Sequence, residues 1–301
     1  PRRTGIEVFD DFPLDRLVEL IDWTPFFQAW ELSGRFPQIL DDDVVGEAAR
    51  SLYDDARAML GRIVTQGWLR ASAVAGLFPA ASEVDDVLLF ADEERSEVIE
   101  TLCFLRQQKA RGQDKPQRCL ADFIAPSKSG IRDHIGLFAV TAGLGIEEHV
   151  QRFEDRHDDY NAILLKALAD RLAEAFAECL HHKVRKDLWA YAPEEELDNE
   201  ALIAEAYRGI RPAPGYPACP DHSEKVKIFR LLEATSRAGI ELTEGFAMYP
   251  AASVSGYYFA HPEAKYFVLG PVLPDQIEDY AGRKGLDPET VRKLLPANLT
   301  E

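Results

Sequence analysis

No apolar run in this sequence approaches the ~20 residues that span a bilayer, which excludes a membrane-crossing helix. The first residues, Pro1-Arg2-Arg3-Thr4-Gly5-Ile6-Glu7, lack the apolar core of a secretory signal. Positive charge is scarce: 34 Lys and Arg stand against 52 Asp and Glu, a net −18. A chain that acidic has no basic footprint for nucleic acid. Cysteine is also scarce. Cys103, Cys119, Cys179 and Cys219 form no Cys-x-x-Cys pair and no zinc spacing with histidine. They read as reduced thiols of a cytoplasmic protein, because a disulfide framework is not expected in a chain of 301 residues.

Catalytic signatures are missing as well. There is no Gly-x-Ser-x-Gly elbow, no His-Glu-x-x-His, and no Gly-x-Gly-x-x-Gly after a strand. The stretch Ser127-Lys128-Ser129-Gly130 lacks the earlier glycine of a phosphate-binding loop. Seven histidines are scattered, and only His181 and His182 are adjacent. His134 has no neighbours to complete a metal set, so no metal site and no proton-transfer set are expected.

What is present is proline, concentrated in Arg211-Pro212-Ala213-Pro214-Gly215-Tyr216-Pro217-Ala218-Cys219-Pro220. Proline fixes φ and has no N–H, so this run is neither a helix interior nor a central strand. It reads as a stiff, extended loop with little entropy left to lose on binding. Such a loop is either a rigid connector or one wall of a small-molecule site. Gly215 supplies positive φ or close approach, Arg211 a forked cation, and Tyr216 an aromatic face with a polar tip.

The rest of the chain reads as one α+β domain, with long helices around a mainly antiparallel sheet. Helices are expected over 14–31, with a break at Asp22 and Thr24 capping a second helix that opens with Pro25, and over 43–67. Strands are expected over 72–80 and 84–91, then a helix over 93–107 and a polar loop from Lys109 to Gln117. That loop carries Arg111, Gly112, Asp114, Lys115 and Pro116. Cys119–Ile124 and 133–141 read as strands. Residues 146–189 hold the longest helical signal, with an apolar run from Asn161 to Leu180 that belongs in the centre of the fold. Helices over 194–208 and 222–238 follow. Short strands are expected at 246–249, 254–259 and 265–269, the last two joined by a turn over 260–264. The chain closes with helices over 276–284 and 288–295.

Two acids stand out against the apolar central helix. Asp170 and Glu174 are four residues apart, hence on one face, and either pair with cations such as Lys166 and Arg171 or line a cavity. Asp22 lies among Trp23, Phe26 and Phe27, where partial desolvation demands an N–H or cationic partner. Together with Arg211, Tyr216 and Tyr266, these acids make a binding kit for a zwitterion carrying a ring system. Arginine suits the carboxylate, an acid the ammonium, and an aromatic wall a ring or a sulfonium.

Several segments carry a family resemblance: Ile21-Asp22-Trp23-Thr24-Pro25-Phe26-Phe27, His157-Asp158-Asp159-Tyr160-Asn161, Lys166 to Ala175, the Arg211-to-Pro220 loop, and Ser253-Val254-Ser255-Gly256-Tyr257-Tyr258-Phe259. From about residue 14 to Leu299 the chain resembles the C-terminal activation domain of cobalamin-dependent methionine synthase, the 5-methyltetrahydrofolate–homocysteine methyltransferase. It begins at Pro1 without methionine, as expected of a piece of a longer protein.

The resemblance implies S-adenosylmethionine as ligand and cobalamin carried by a neighbouring domain of the same polypeptide. It also implies flavodoxin or another electron donor as partner when inactive cob(II)alamin is reductively methylated to methylcobalamin. Carried over by motif, Asp22, Glu174, Arg211, Gly215, Tyr216, Tyr266 and Phe267 line the S-adenosylmethionine site, and Ala213 contributes backbone groups. Asp170 is expected to face the docked cobalamin domain. The family also accounts for the missing acid–base set, because cob(I)alamin is itself the nucleophile and the domain only positions the methyl group. The isolated domain is then not catalytic alone. A freestanding S-adenosylmethionine-binding or corrinoid-reactivation module of the same fold is the alternative. An ordinary methyltransferase is disfavoured by the missing glycine-rich turn.

Overall fold

Five strands form one continuous antiparallel path, and a sixth shares an edge with it. They are β1 (Gly5–Phe12), β2 (Arg70–Glu83), β3 (Asp86–Phe90), β4 (Val98–Cys103), β5 (Asp133–Leu144) and, after the two-residue pair β6 (Glu241–Leu242) and β7 (Met248–Tyr249), β8 (Ser253–Tyr258). The order is β4-β3-β2-β5-β8, and β1 joins the first half of β2 beside the segment that β3 pairs. The computed structural model describes residues 1–109 and 116–299, so Arg111, Gly112, Asp114 and Lys115 of the expected polar loop lie outside the described residues.

The central strands are buried on both faces, which is why β2 and β5 read as nearly continuous apolar runs. Ala71, Ala73, Ala75 and Leu77 of β2, with Phe138, Val140 and Ala142 of β5, face one core. Val74, Phe78 and Ala80, with Ile135, Leu137 and Ala139, face the other.

The helices are α1 (Leu14–Val18), α2 (Thr24–Ala29), α3 (Gly46–Gln66), α4 (Ile146–Glu154), α5 (Asp159–Lys183), α6 (Asn199–Ile203), α7 (Lys225–Leu232), α8 (Ala234–Ala238), α9 (Pro274–Lys284) and α10 (Pro288–Leu294). The first core holds α5 with residues of α1, α2 and α3; the second holds α7 and α8. Helices α9 and α10 close a third cluster around Leu269, Val272 and Tyr280. The 25-residue α5 has apolar residues on almost every side, as its central position requires.

Several local expectations change. Residues 93–107 form no helix; Val98–Cys103 pairs with β3, and tertiary pairing overrides a helical recurrence that was too short to hold alone. Cys119–Ile124 is not a strand: Asp122 accepts the Cys119 N–H at 2.9 Å and winds Leu120–Phe123 into a 3₁₀ turn. The long signal over 146–189 is two helices, parted where His157 takes positive φ and Asp158 caps α5 through the Asn161 N–H. The acidic segment over 194–208 supplies only α6, opened by Asp198. Residues 265–269 are irregular chain and not a strand. β1 had been missed, because its polar residues gave it no clean alternation.

Candidate functional site

β8 ends the sheet path, and the proline loop covers its outer side. Ile210 and Phe259 exchange two backbone hydrogen bonds of 3.0 Å, and the Tyr257 N–H donates to the Pro212 carbonyl at 2.9 Å. That approach needs Gly256: a Cβ there would lie 2.5 Å from the Pro212 carbonyl oxygen. The loop then folds back on itself. Gly215, at φ +96°, donates to the Cys219 carbonyl at 2.7 Å, and its Cα faces the His222 ring so closely that a Cβ would fall 2.1 Å from Cε1. Leu269 donates to the Pro217 carbonyl at 2.8 Å, which ties the irregular chain around Tyr266 to the loop.

Between these parts lies a cavity of about 480 Å³. Its walls are Arg211, Pro212, Ala213, Tyr216, Pro217 and Ala218 from the loop, Tyr266, Phe267 and Val268 opposite, Phe138 and Val254 from the sheet, Glu174 from α5, and Glu205. Size and lining suit a drug-sized ligand held by apolar walls and a few convergent polar groups. Tyr216 and Tyr266 remain substantially exposed at its mouth, whereas Phe267 is buried.

The structure therefore brings together six of the expected residues: Glu174, Arg211, Ala213, Tyr216, Tyr266 and Phe267. Gly215 shapes the loop from behind and does not line the cavity. Asp22 does not line it either; its carboxylate accepts the Thr24 N–H at 3.0 Å at the start of α2, while Thr24 Oγ1 accepts the Phe36 N–H at 3.2 Å. Asp170 is exposed and pairs with Arg171 at 2.5 Å.

The charges at the site are of two kinds. Arg211 is already engaged: its Nη1 donates to Glu178 Oε2 at 2.6 Å and to the Tyr207 hydroxyl at 2.7 Å, and lies 3.4 Å from His181 Nδ1. Its backbone N–H donates to the Tyr266 hydroxyl at 3.0 Å. Glu174, by contrast, makes no hydrogen bond among the described residues. Burial pushes its carboxyl pKa up, against the pull of Arg171 and Arg211 and with the push of Asp170 and Glu178. Burial likewise raises the Glu205 carboxyl, opposed by Arg211. Burial also raises the Tyr216 hydroxyl, with Glu174 and Asp170 adding to it.

Glu178 and Glu205 escaped the sequence reading. Glu178 was within reach, one helical turn beyond Glu174 in the series 170, 174, 178. Glu205 carried no signal, since its place depends on the irregular descent from α6 to the loop. Phe138 and Val254 were hidden among strand residues of the same type.

The raised Glu174 pKa has a direct consequence. A carboxyl whose folded pKa exceeds its unfolded one favours the fold at low pH, and that contribution is lost as pH rises through the folded pKa. Above the ordinary carboxylate range Glu174 is therefore a destabilising group in the ligand-free protein. Glu174→Gln should raise the melting temperature at pH 7–8, and the gain should shrink as pH falls toward the ordinary carboxylate range. Thermal scans across that pH span check it; a variant no more stable than wild type at pH 8 contradicts it.

Fold and site together define an α+β ligand-binding domain whose cavity sits between a proline-rich loop and the irregular chain over 266–268. The family model for the vitamin B12-dependent methionine synthase activation domain matches residues 13–285, and the chain belongs to that family. It is also similar to a crystal structure of the MetH reactivation domain bound to AdoHcy, at 50% identity and a TM-score of 0.97. That match covers 99% of this chain and 91% of the other. Among the described residues no helix is long and apolar enough to cross a membrane, and no cluster of metal-ligating side chains occurs.

Proposed function

We propose that the cavity binds S-adenosylmethionine and presents its methyl group for reactivation of the cobalamin cofactor of methionine synthase. The observation that carries this reading is the convergence of one cation, two carboxyls and two tyrosines on a single apolar-walled cavity. Its volume of about 480 Å³ suits an adenosyl amino acid. Likeness, at 50% identity, to a domain solved with AdoHcy supports it.

The donor set fits the ligand. Arg211 offers a cation to the carboxylate. Glu174, without a protein partner among the described residues, offers a carboxylate to the ammonium. Tyr216, Tyr266 and Phe267 offer faces to the adenine and the sulfonium. Asp22 belongs to the same proposal through the family motif, and reaches the ligand only if the α1–α2 turn approaches the cavity. When bound, S-adenosylmethionine supplies the methyl group; the protein orients it and excludes water. Asp170, exposed one turn along α5 from Glu174, is assigned by the same proposal to contact with a docked cobalamin domain of the same polypeptide. An external electron donor such as flavodoxin completes the proposal.

Calorimetric titration with S-adenosylmethionine tests it. The chain should bind one equivalent, and Glu174→Gln should weaken binding about ten- to a hundredfold, the worth of one charge-assisted hydrogen bond. A well-folded wild-type chain that binds nothing contradicts the reading.

A further inference from the structure

Behind Arg211 lies a buried charge network that the binding reading does not use. Arg185 has no exposed side-chain surface; its Nε and Nη2 hold Glu195 at 2.8–3.1 Å, and its guanidinium stacks 4.0 Å from the Tyr207 ring centroid. Glu178 is buried between the two arginines. Its Oε2 goes to Arg211 at 2.6 Å, while its Oε1 faces Arg185 Nη1 across 3.6 Å. That gap is too long for a hydrogen bond. Both atoms at the gap are buried and have no hydrogen-bond partner among the described residues, the costliest arrangement for charged groups.

His181 completes the surroundings. It stacks on Tyr258 at 5.0 Å, and Tyr258 stacks on the cavity-wall Phe138 at 4.6 Å. Burial, with Arg211, Arg185 and His182 adding to it, holds the His181 pKa well below its usual value, so the ring is neutral. Because arginine can only donate, Nδ1 is the acceptor and the ring proton sits on Nε2, toward the Tyr191 hydroxyl at 3.4 Å. The four charged groups Arg185, Arg211, Glu178 and Glu195 therefore balance without help from histidine.

The geometry points to Glu178 as a transferable counter-ion, paired with Arg211 in this structure and passed toward Arg185 when a ligand carboxylate takes Arg211. This rests on the S-adenosylmethionine reading above. A second carboxylate at Arg211 weakens the pull on Glu178 and repels it. Arg185 Nη1, a buried donor lacking an acceptor among the described residues, lies across the gap from the carboxylate and receives it. Glu178 and Arg185 are thus positioning residues. Together they set how much affinity a ligand gains from its carboxylate.

Two probes isolate that gain. S-adenosylhomocysteine carries the amino-acid carboxylate, and its decarboxylated analogue, S-adenosyl-3-thiopropylamine, keeps the nucleoside thioether and the ammonium without it. Calorimetry gives the ratio of their affinities in wild type and in Glu178→Gln, which keeps the shape and removes the competing charge. The ratio should rise about fivefold or more in Glu178→Gln, the range of an ordinary coupling between sites, with the gain confined to the ligand that carries the carboxylate. An unchanged ratio, or a fall, overturns the transfer. Crystals of the wild-type chain with and without S-adenosylhomocysteine provide a readout that does not depend on the variant folding. The Glu178 Oε1 to Arg185 Nη1 distance should close to below about 3.2 Å with ligand, and an unmoved Glu178 overturns the inference. If wild type binds neither probe, it is the ligand reading that fails, an outcome distinct from binding with an unmoved Glu178.

Discussion

Arg211→Ala should lose about 3–5 kcal/mol of folding stability, because it strips the buried Glu178 of the cation at 2.6 Å. Arg185 is the nearest replacement, and the 3.6 Å separation does not compensate a buried carboxylate without rearrangement. The same change should weaken binding of S-adenosylmethionine by about ten- to a hundredfold, as expected when a charge-assisted contact is removed. A global stability of about 5–15 kcal/mol makes the stability loss large, so both effects should be read at low temperature. The double variant Arg211→Ala with Glu178→Gln separates them. It removes the stranded charge together with its partner, so stability should largely return while affinity stays low. Recovery of both would show that Arg211 serves only the fold. Denaturant titration beside calorimetry gives both numbers on one sample.

Lys284→Met should be as costly, through the end of the same loop. Lys284 lies on α9, and its ammonium bonds Asp221 at 2.5 Å, Glu224 at 2.7 Å and the Ser223 hydroxyl at 2.7 Å. Asp221 and Glu224 are almost wholly buried, and the Tyr280 hydroxyl also donates to Asp221 at 2.9 Å. Burial works against the Lys284 charge, but Glu224 and Asp221 outweigh it and raise its pKa; the same pairing lowers that of Asp221 despite burial. Methionine fills the space and leaves Lys227, 2.9 Å from Glu224, as the one cation still paired with these two acids among the described residues. About 3–5 kcal/mol should be lost, seen as a lower denaturant midpoint at unchanged slope. Asp221 directly follows Pro220, so the variant should also loosen the loop and weaken ligand binding. A loss below about 1 kcal/mol would place this cluster among the weakly contributing ion pairs.

These two arginine and lysine positions show what a sequence reveals and what it hides. The stiffness of the loop was readable from its prolines, and Gly215 from the need for positive φ. Which side of Gly215 was crowded was not readable, because His222 comes from the next structural element. Asp170 and Glu174 could be placed on one helical face, but spacing cannot tell which acid finds a cation. The fold resolves it by giving Asp170 to the neighbouring Arg171 and leaving Glu174 to the cavity.

Tyr266 and Phe267 looked like strand residues because aromatics favour strands. They lie instead in irregular chain held to the loop through Leu269 and Pro217, a pairing set entirely by tertiary contact. The buried double-faced strands were legible as apolar runs. β1 was not, since a strand at the rim of a sheet tolerates the polar residues that erase its alternation. Asp22 was correctly read as an acid in need of an N–H partner and found one in Thr24.

The most direct test of the central claim is a crystal structure of this chain with S-adenosylhomocysteine. Density for the ligand should fill the cavity between Pro212–Ala218 and Tyr266–Val268, with its carboxylate at the Arg211 guanidinium and its ammonium turned toward an acid of the site. A ligand seated in a different groove, or in this cavity with its carboxylate turned away from Arg211, would contradict the account.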